Sequence, residues 1–161
     1  MRFRIRIDGE PVSAARPRFR RTKKGVMTHP TKKTHASLKK IKSQATKKMK
    51  GREKLTGPLE VRIMAAFPCT KKRIRKRKPA MARFKDTGPD IDNIAKHYLD
   101  GLLASGIVAN DDNQVVSLAA AKIELGQDAE PYTEIVIEVV FPIDDSNPLA
   151  ELITAALSKI G

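Results

Sequence analysis

The chain is 161 residues long, a one-domain length, and its 40% hydrophobic content lies in the globular range. A single cysteine, Cys69, excludes an internal disulfide framework, and no apolar run approaches the ~20 residues of a membrane span or makes a signal-peptide core at Met1–Ile7, which points to a cytoplasmic setting. Lys and Arg total 32 against 18 acids, a net charge of +14, but the halves differ: residues 1–89 hold 29 basic and 5 acidic residues, a net +24, and residues 90–161 hold 3 and 13, a net −10. Such a cationic half gathers phosphates without reading sequence, and such an anionic half can gather metal ions.

Met1–Ile7 alternates Arg2, Arg4 and Arg6 with Phe3, Ile5 and Ile7, the period of a half-buried strand. From Gly9 to Arg21 the prolines Pro11 and Pro17 predict an extended basic loop carrying Arg16, Arg18, Arg20 and Arg21, followed by a short strand and turn over Gly25–Pro30. Leu38, Ile41, Ala45 and Met49 fall at helical spacing within a lysine-rich helix over His35–Lys50, and Leu59–Phe67 reads as a strand stopped by Pro68. Lys71, Lys72, Arg73, Arg75, Lys76, Arg77 and Lys78 put seven charges of one sign in one run, which predicts a loop that is mobile until liganded. Ile91–Ser105 is the clearest helix, with Ile91, Ile94, Ala95, Tyr98, Leu99, Leu102 and Leu103 on one stripe and Gly106 as its stop. Val115–Glu124 and Thr133–Phe141 read as two strands paired with each other, and Leu149 to Ile160 as a short amphipathic helix after Pro142. The fold expected is α+β: one compact domain with a mixed β-sheet and packed helices over residues 1–141, then a helical tail over 142–161.

The chemistry concentrates where Asp90-Ile91-Asp92-Asn93 opens the best helix and Asp111-Asp112-Asn113-Gln114 follows its end. A helix returning the chain could bring those two acidic segments together. Hard cations such as Mg²⁺ take carboxylate oxygens, water and substrate phosphate, and so support phosphodiester hydrolysis. Lys96 lies four residues after Asp92, on the same side of the helix, where its charge could serve a phosphate. Plainer roles exist for the same residues: Asp90 or Asp92 as an N-cap, Asp92–Lys96 as an exposed ion pair, Asp111-Asp112-Asn113 as turn chemistry. An EF-hand is excluded because its fifth and sixth positions counted from Asp90 would be Ile94 and Ala95. His29, His35, His97 and Cys69 show no zinc-ligand spacing, and His97 reads as a solvated helix residue.

Pro89-Asp90-Ile91-Asp92-Asn93-Ile94-Ala95-Lys96, Leu99-Asp100-Gly101-Leu102, Gly106-Ile107 and Asp111-Asp112-Asn113-Gln114-Val115-Val116, in that order and separation, resemble the RusA family of Holliday junction resolvases. Pro11-Val12 to Phe19, with Arg16-Pro17-Arg18, is also similar to the amino-terminal signature of its phage and prophage members. The resemblance implies a homodimeric, Mg²⁺-dependent endonuclease, with Mn²⁺ substituting, that cuts four-way DNA junctions by symmetric paired nicks in recombination and repair, in a bacterial or phage setting. It implies Asp90, Asp92 and Asp112 as metal ligands and Lys96 as the catalytic lysine. Matching Asp-Asp-x-Gln-Val selects Asp112, whereas counting along a spacer one residue longer than in compact members selects Asp111, so both remain candidates. Thr87-Gly88-Pro89 stands where some members carry basic residues; Lys71–Lys78 or Lys85 could take that phosphate contact. Arg16, Arg18, Arg20, Arg21 and the Lys71–Lys78 run are the expected DNA contacts. The alternative is a non-enzymatic basic DNA- or RNA-binding protein, although 4% aromatic content with no Trp leaves few stacking platforms.

Overall fold

The computed structural model describes residues 2–14, 18–22, 25–29, 31–107 and 112–140. Strands β1 (Arg2–Asp8), β4 (Leu59–Phe67), β5 (Arg83–Phe84), β6 (Val115–Glu124) and β7 (Tyr132–Val139) form one mixed sheet in the order β1-β7-β4-β6-β5. A separate hairpin pairs β2 (Arg18–Thr22) with β3 (Gly25–His29), where an extended loop was expected over the first of these segments. Helices α1 (Lys32–Met49) and α2 (Ile91–Leu103) cover one face of the sheet.

Strand order follows burial. Leu59, Val61, Ile63, Ala65 and Phe67 are buried on the helix-covered face of β4, and Glu60 and Ala66 are buried on its other face, so β4 sits at the centre. It takes β7 antiparallel on one side and β6 parallel on the other. The two strands expected to pair with each other therefore flank β4 instead, and β7 gives its second edge to β1, with Phe3 opposite Ile137 and Ile5 opposite Ile135. An apolar strand that can be satisfied on both edges outcompetes a direct β6–β7 pairing. The predicted strand over residues 133–141 ends at Val139, and the tail expected over 142–161 lies outside the described residues.

Thr31 caps α1, its hydroxyl accepting from Thr34 N–H at 3.2 Å. Along α1, Ile41 and Ala45 are buried, and opposite them α2 buries Ile94, Ala95, Tyr98 and Leu102. The helices approach closely at Gly101, where a Cβ would lie 2.7 Å from Ile41 Cγ2. Because β4 and β6 run parallel, α2 must run back between them, and this crossover fixes where each end of α2 lies. Its start stands at the carboxyl ends of β4 and β6, and its end stands where those strands begin.

Candidate active site

Asp90 occupies the N-cap position of α2 with extended backbone (φ −67°, ψ 142°), yet its side chain makes no capping hydrogen bond. Asp92 lies in the first turn, and both carboxylates are exposed. Among the described residues neither takes an ion pair or hydrogen bond, and the exposed Lys96 one turn on forms no salt bridge with Asp92. The plainer roles of cap and ion pair are thus not taken up. Two carboxylates and an ammonium stand free at the positive end of a helix, which favours negative charge there.

The approach to Asp90 is held from β6. Lys122 Nζ donates to the carbonyls of Thr87 at 3.0 Å and Pro89 at 2.9 Å, across the cis Gly88–Pro89 peptide, and Lys85 Nζ donates to Thr87 Oγ1 at 2.8 Å. Lys85 is thereby engaged with its own turn. On the other side, Ala14 N–H donates to the Asn93 carbonyl at 2.9 Å, so the amino-terminal segment passes the first turn of α2 before entering the basic hairpin. Tyr98 fixes this arrangement from below: its hydroxyl accepts from Thr133 Oγ1 at 2.7 Å and from Val12 N–H at 3.3 Å. Sequence reasoning missed Lys122 and Tyr98 in these roles. A lysine closing the otherwise uncharged run Val115–Ala121 was the available signal for the first.

Asp112 lies elsewhere. It opens a 3-10 turn, Asp112–Gln114, that leads into β6, and Gln114 Nε2 fastens the turn by donating to the carbonyls of Leu55 at 3.3 Å and Gly57 at 3.0 Å. From Val115 to Lys122 the strand covers about 23 Å at ~3.3 Å per residue, so the turn and Asp90 stand at opposite ends of the sheet. The expectation that α2 would return the two acidic segments to one place does not hold within a protomer. A single crossover helix puts its flanks at opposite ends of the strands it joins. Among the described residues no three His, Cys, Asp or Glu side chains gather as a metal site. Asp111 and Arg16 lie outside the described residues; Arg18, Arg20 and Arg21 belong to the backbone of β2.

The cationic run expected to be a mobile loop is fastened at its base. Lys71–Arg73 forms a 3-10 turn, and Glu124, 1% exposed, accepts from Thr70 N–H at 2.7 Å and pairs with Arg73 and Arg83, each at 2.9 Å. Burial pushes the Glu124 carboxyl up, but the hydrogen bonds from Thr70 and Arg83, with the charge of Arg73 beside them, outweigh it and bring it down to about 2. Arg73 also donates to the Met81 carbonyl at 2.6 Å, and Gln127 ties both limbs, accepting from Arg75 N–H at 2.9 Å and donating its own N–H to Ala80 O at 3.1 Å. One buried anion thus organises several like charges, leaving Lys71, Lys72, Arg75, Lys76, Arg77 and Lys78 exposed.

Part of the anionic half has a structural use. Glu134 and Glu138 of β7 pair with Arg4 and with Arg2 and Arg62, on the sheet face away from the helices. His97 is not solvated as expected: it is buried, bonded to Ser37 Oγ at 2.9 Å and packed edge-on against Tyr98, and burial lowers its pKa.

Free carboxylates at a helix start, a nearby lysine and a fastened cationic loop stand at the same end of one sheet, an arrangement of charge that suits a protein acting on nucleic acid. The family model Endodeoxyribonuclease RusA matches residues 8–138, and the chain belongs to that family. Its activity is that of an endodeoxyribonuclease that resolves Holliday junctions, which removes the alternative of a non-enzymatic binding protein. Enzymes of this kind typically need a divalent metal ion and act on branched DNA. No curated protein matches the chain. No helix among the described residues is long and apolar enough to cross a membrane.

Proposed function

We propose that the protein cuts four-way junctions as a homodimer, by paired nicks, with Mg²⁺ held by Asp90 and Asp92 of one protomer and Asp112 of the partner subunit. The observation that carries this reading is the separation of two free carboxylates from the third acidic position by the length of β6. A second feature supports it. Beyond Ile123 and Glu124, which pair with β5, the outer edge of β6 has no strand partner among the described residues, and Val115–Ala121 carries no charge. Val116 and Leu118 are 61% and 46% exposed along it. A bare apolar edge of this kind invites strand pairing. Antiparallel pairing of two such edges about a two-fold sets the start of each β6 beside the end of the other, where Lys122 holds the turn before Asp90.

Asp90 and Asp92 fit a hard divalent cation: they are oxygen donors with no competing partner among the described residues, where no His or Cys joins them. Asp111 remains the alternative third ligand. The bound metal supplies water activation and charge neutralisation on the scissile phosphate. Lys96, held by α2 on the side of Asp92, places an ammonium against the phosphate oxygens and stabilises the charge that builds there. Lys122 keeps the Thr87–Pro89 turn from drifting, and the exposed Lys76, Arg77 and Lys78, with the β2–β3 hairpin, position the DNA backbone.

The test is cleavage of a synthetic four-way junction in Mg²⁺ against a linear duplex of the same sequence. The wild-type protein nicks two opposed strands of the junction near the crossover, and Asp92→Asn binds the junction without cutting it. Tight junction binding with no nicking in either Mg²⁺ or Mn²⁺ would overturn the reading. A mixture distinguishes a shared site from a self-contained one. Asp92→Asn and Asp112→Asn are each inactive, and combining them restores single-strand nicking through heterodimers with one intact site. Failure of the mixture to nick, with exchange of subunits demonstrated, would return all ligands to one chain.

A further inference from the structure

Two large apolar side chains lie in the open on a surface fastened by ion pairs and backbone hydrogen bonds. Phe84 is 80% exposed and Met81 79% exposed, the highest values among the large hydrophobic residues described. Exposure on a loose segment would mean little, but these positions are held. Arg83 and Phe84 pair with Glu124 and Ile123, Arg83 is ion-paired to the buried Glu124, Lys85 N–H donates to Lys122 O at 3.0 Å, and the Met81 carbonyl accepts from Arg73. Gly126 lets the two limbs approach, since a Cβ there would meet the Ala80 carbonyl at 3.1 Å. Among the described residues nothing covers either side chain, and the chain reaches Asp90 six residues after Phe84.

What surrounds them decides what they meet. Between Lys71 and Lys85 the chain holds nine Lys or Arg and no acid. Two copies meeting patch to patch here would set like charges against like, which costs several kcal/mol per close juxtaposition. A polyanion carrying flat apolar faces satisfies both the rim and the centre: phosphates meet the cations and bases meet the rings and thioether. Fully stacked duplex buries those faces, whereas a branch point interrupts the stack and makes unstacking cheaper, and apolar side chains wedge into such steps.

We propose that Phe84, supported by Met81, is a wedge that stacks on a base at the crossover, so that the protein reads the branch by its opened stack as well as by its phosphates. The proposal rests on the reading of the protein as a junction endonuclease and adds a structure-selecting surface beside its carboxylates. Phe84 recognises the substrate's shape, and discrimination between junction and duplex falls to it more than to the cationic loop, whose contacts exist on either DNA.

The test uses the full-length protein without divalent cation, a four-way junction with 2-aminopurine at one crossover position, and a linear duplex of matching sequence. Wild-type protein brightens the junction probe as the base unstacks. Phe84→Ala binds the duplex as before, binds the junction about tenfold more weakly, and loses most of the brightening; Phe84→Trp retains it. Both substitutions are at an exposed site, and an unchanged thermal melt and sedimentation coefficient show that fold and assembly persist. Equal brightening by Phe84→Ala overturns the wedge, as does equal loss of affinity for junction and duplex. A shift of Phe84→Ala to a smaller species would assign the side chain to the subunit interface and also overturn it. If the wild-type protein itself shows no preference for the junction, the functional reading falls with it; if it cleaves the junction and Phe84→Ala cleaves and brightens equally, only the wedge falls.

Discussion

Glu124 has the most unusual environment of any single side chain described, a carboxylate 1% exposed between two guanidinium groups and a backbone amide. Its carboxyl lies near 2 when folded against 4.5 ordinarily, so it contributes stability above about pH 4.5, and that contribution drains away as pH falls from there toward 2. The shift corresponds to roughly 3 kcal/mol. Glu124→Gln should therefore lower stability at pH 7 by about that amount and flatten the loss of stability between pH 4.5 and 2, measured by urea unfolding across that range. His97 works with the opposite requirement. Burial holds it neutral, so below about pH 6.5 the unfolded chain takes up a proton that the folded chain resists, and stability falls. Thermal melts from pH 7.5 to 5.5 should show this limb, and His97→Gln should remove it. Neither residue announced its role in sequence. An acid ending an apolar strand and a histidine inside an amphipathic helix acquire their meaning only from what tertiary packing sets against them.

At the scale of elements, periodicity was a good guide and pairing was not. The alternation of Phe3, Ile5 and Ile7, the apolar run of β4 and the stripe on α2 all locate real elements, because each is dictated by neighbours within a few residues. The hairpin β2–β3, the two-residue β5 and the separation of β6 from β7 depend on long-range partners, and local pattern carries little of that. The Asp90–Asp92 half of the candidate site was legible for the same reason, being a helix start with its own signature. The position of Asp112 was not, since it follows from the direction of a crossover. Gly101 gives the element scale a sharp test. Replacing a helical glycine with alanine ordinarily stabilises by up to about 1 kcal/mol. Here the new methyl would meet Ile41 Cγ2 at 2.7 Å, and overpacking of that kind costs about 1–3 kcal/mol. Gly101→Ala should thus lower the melting temperature, and adding Ile41→Val should recover part of the loss. Stabilisation by Gly101→Ala alone would show that the α1–α2 contact is looser than described.

For the whole molecule, the charge asymmetry resolves into separate uses. Acids of β7 neutralise arginines of β1 and β4 on one face, Glu124 gathers the cationic loop, and Asp90 and Asp92 take no partner among the described residues. The surplus positive charge stands ready for DNA, and binding should weaken steeply with salt. Replacing Lys76, Arg77 and Lys78 with alanine should reduce the slope of log binding constant against log salt by about 3. An unchanged slope would mean that the apex of the loop does not touch phosphate.

The bare edge of β6 has a kinetic meaning of its own. Were the ligands divided between two chains, as proposed above, a solitary chain would be chemically silent, and its threat to ordinary genomic DNA would be small. Turnover per chain should drop off in proportion to concentration once the protein is diluted below its self-association constant, and added junction, by gathering two chains on one scaffold, should postpone that threshold. Cutting power would then be rationed by encounter, arising where two copies meet on the same branch.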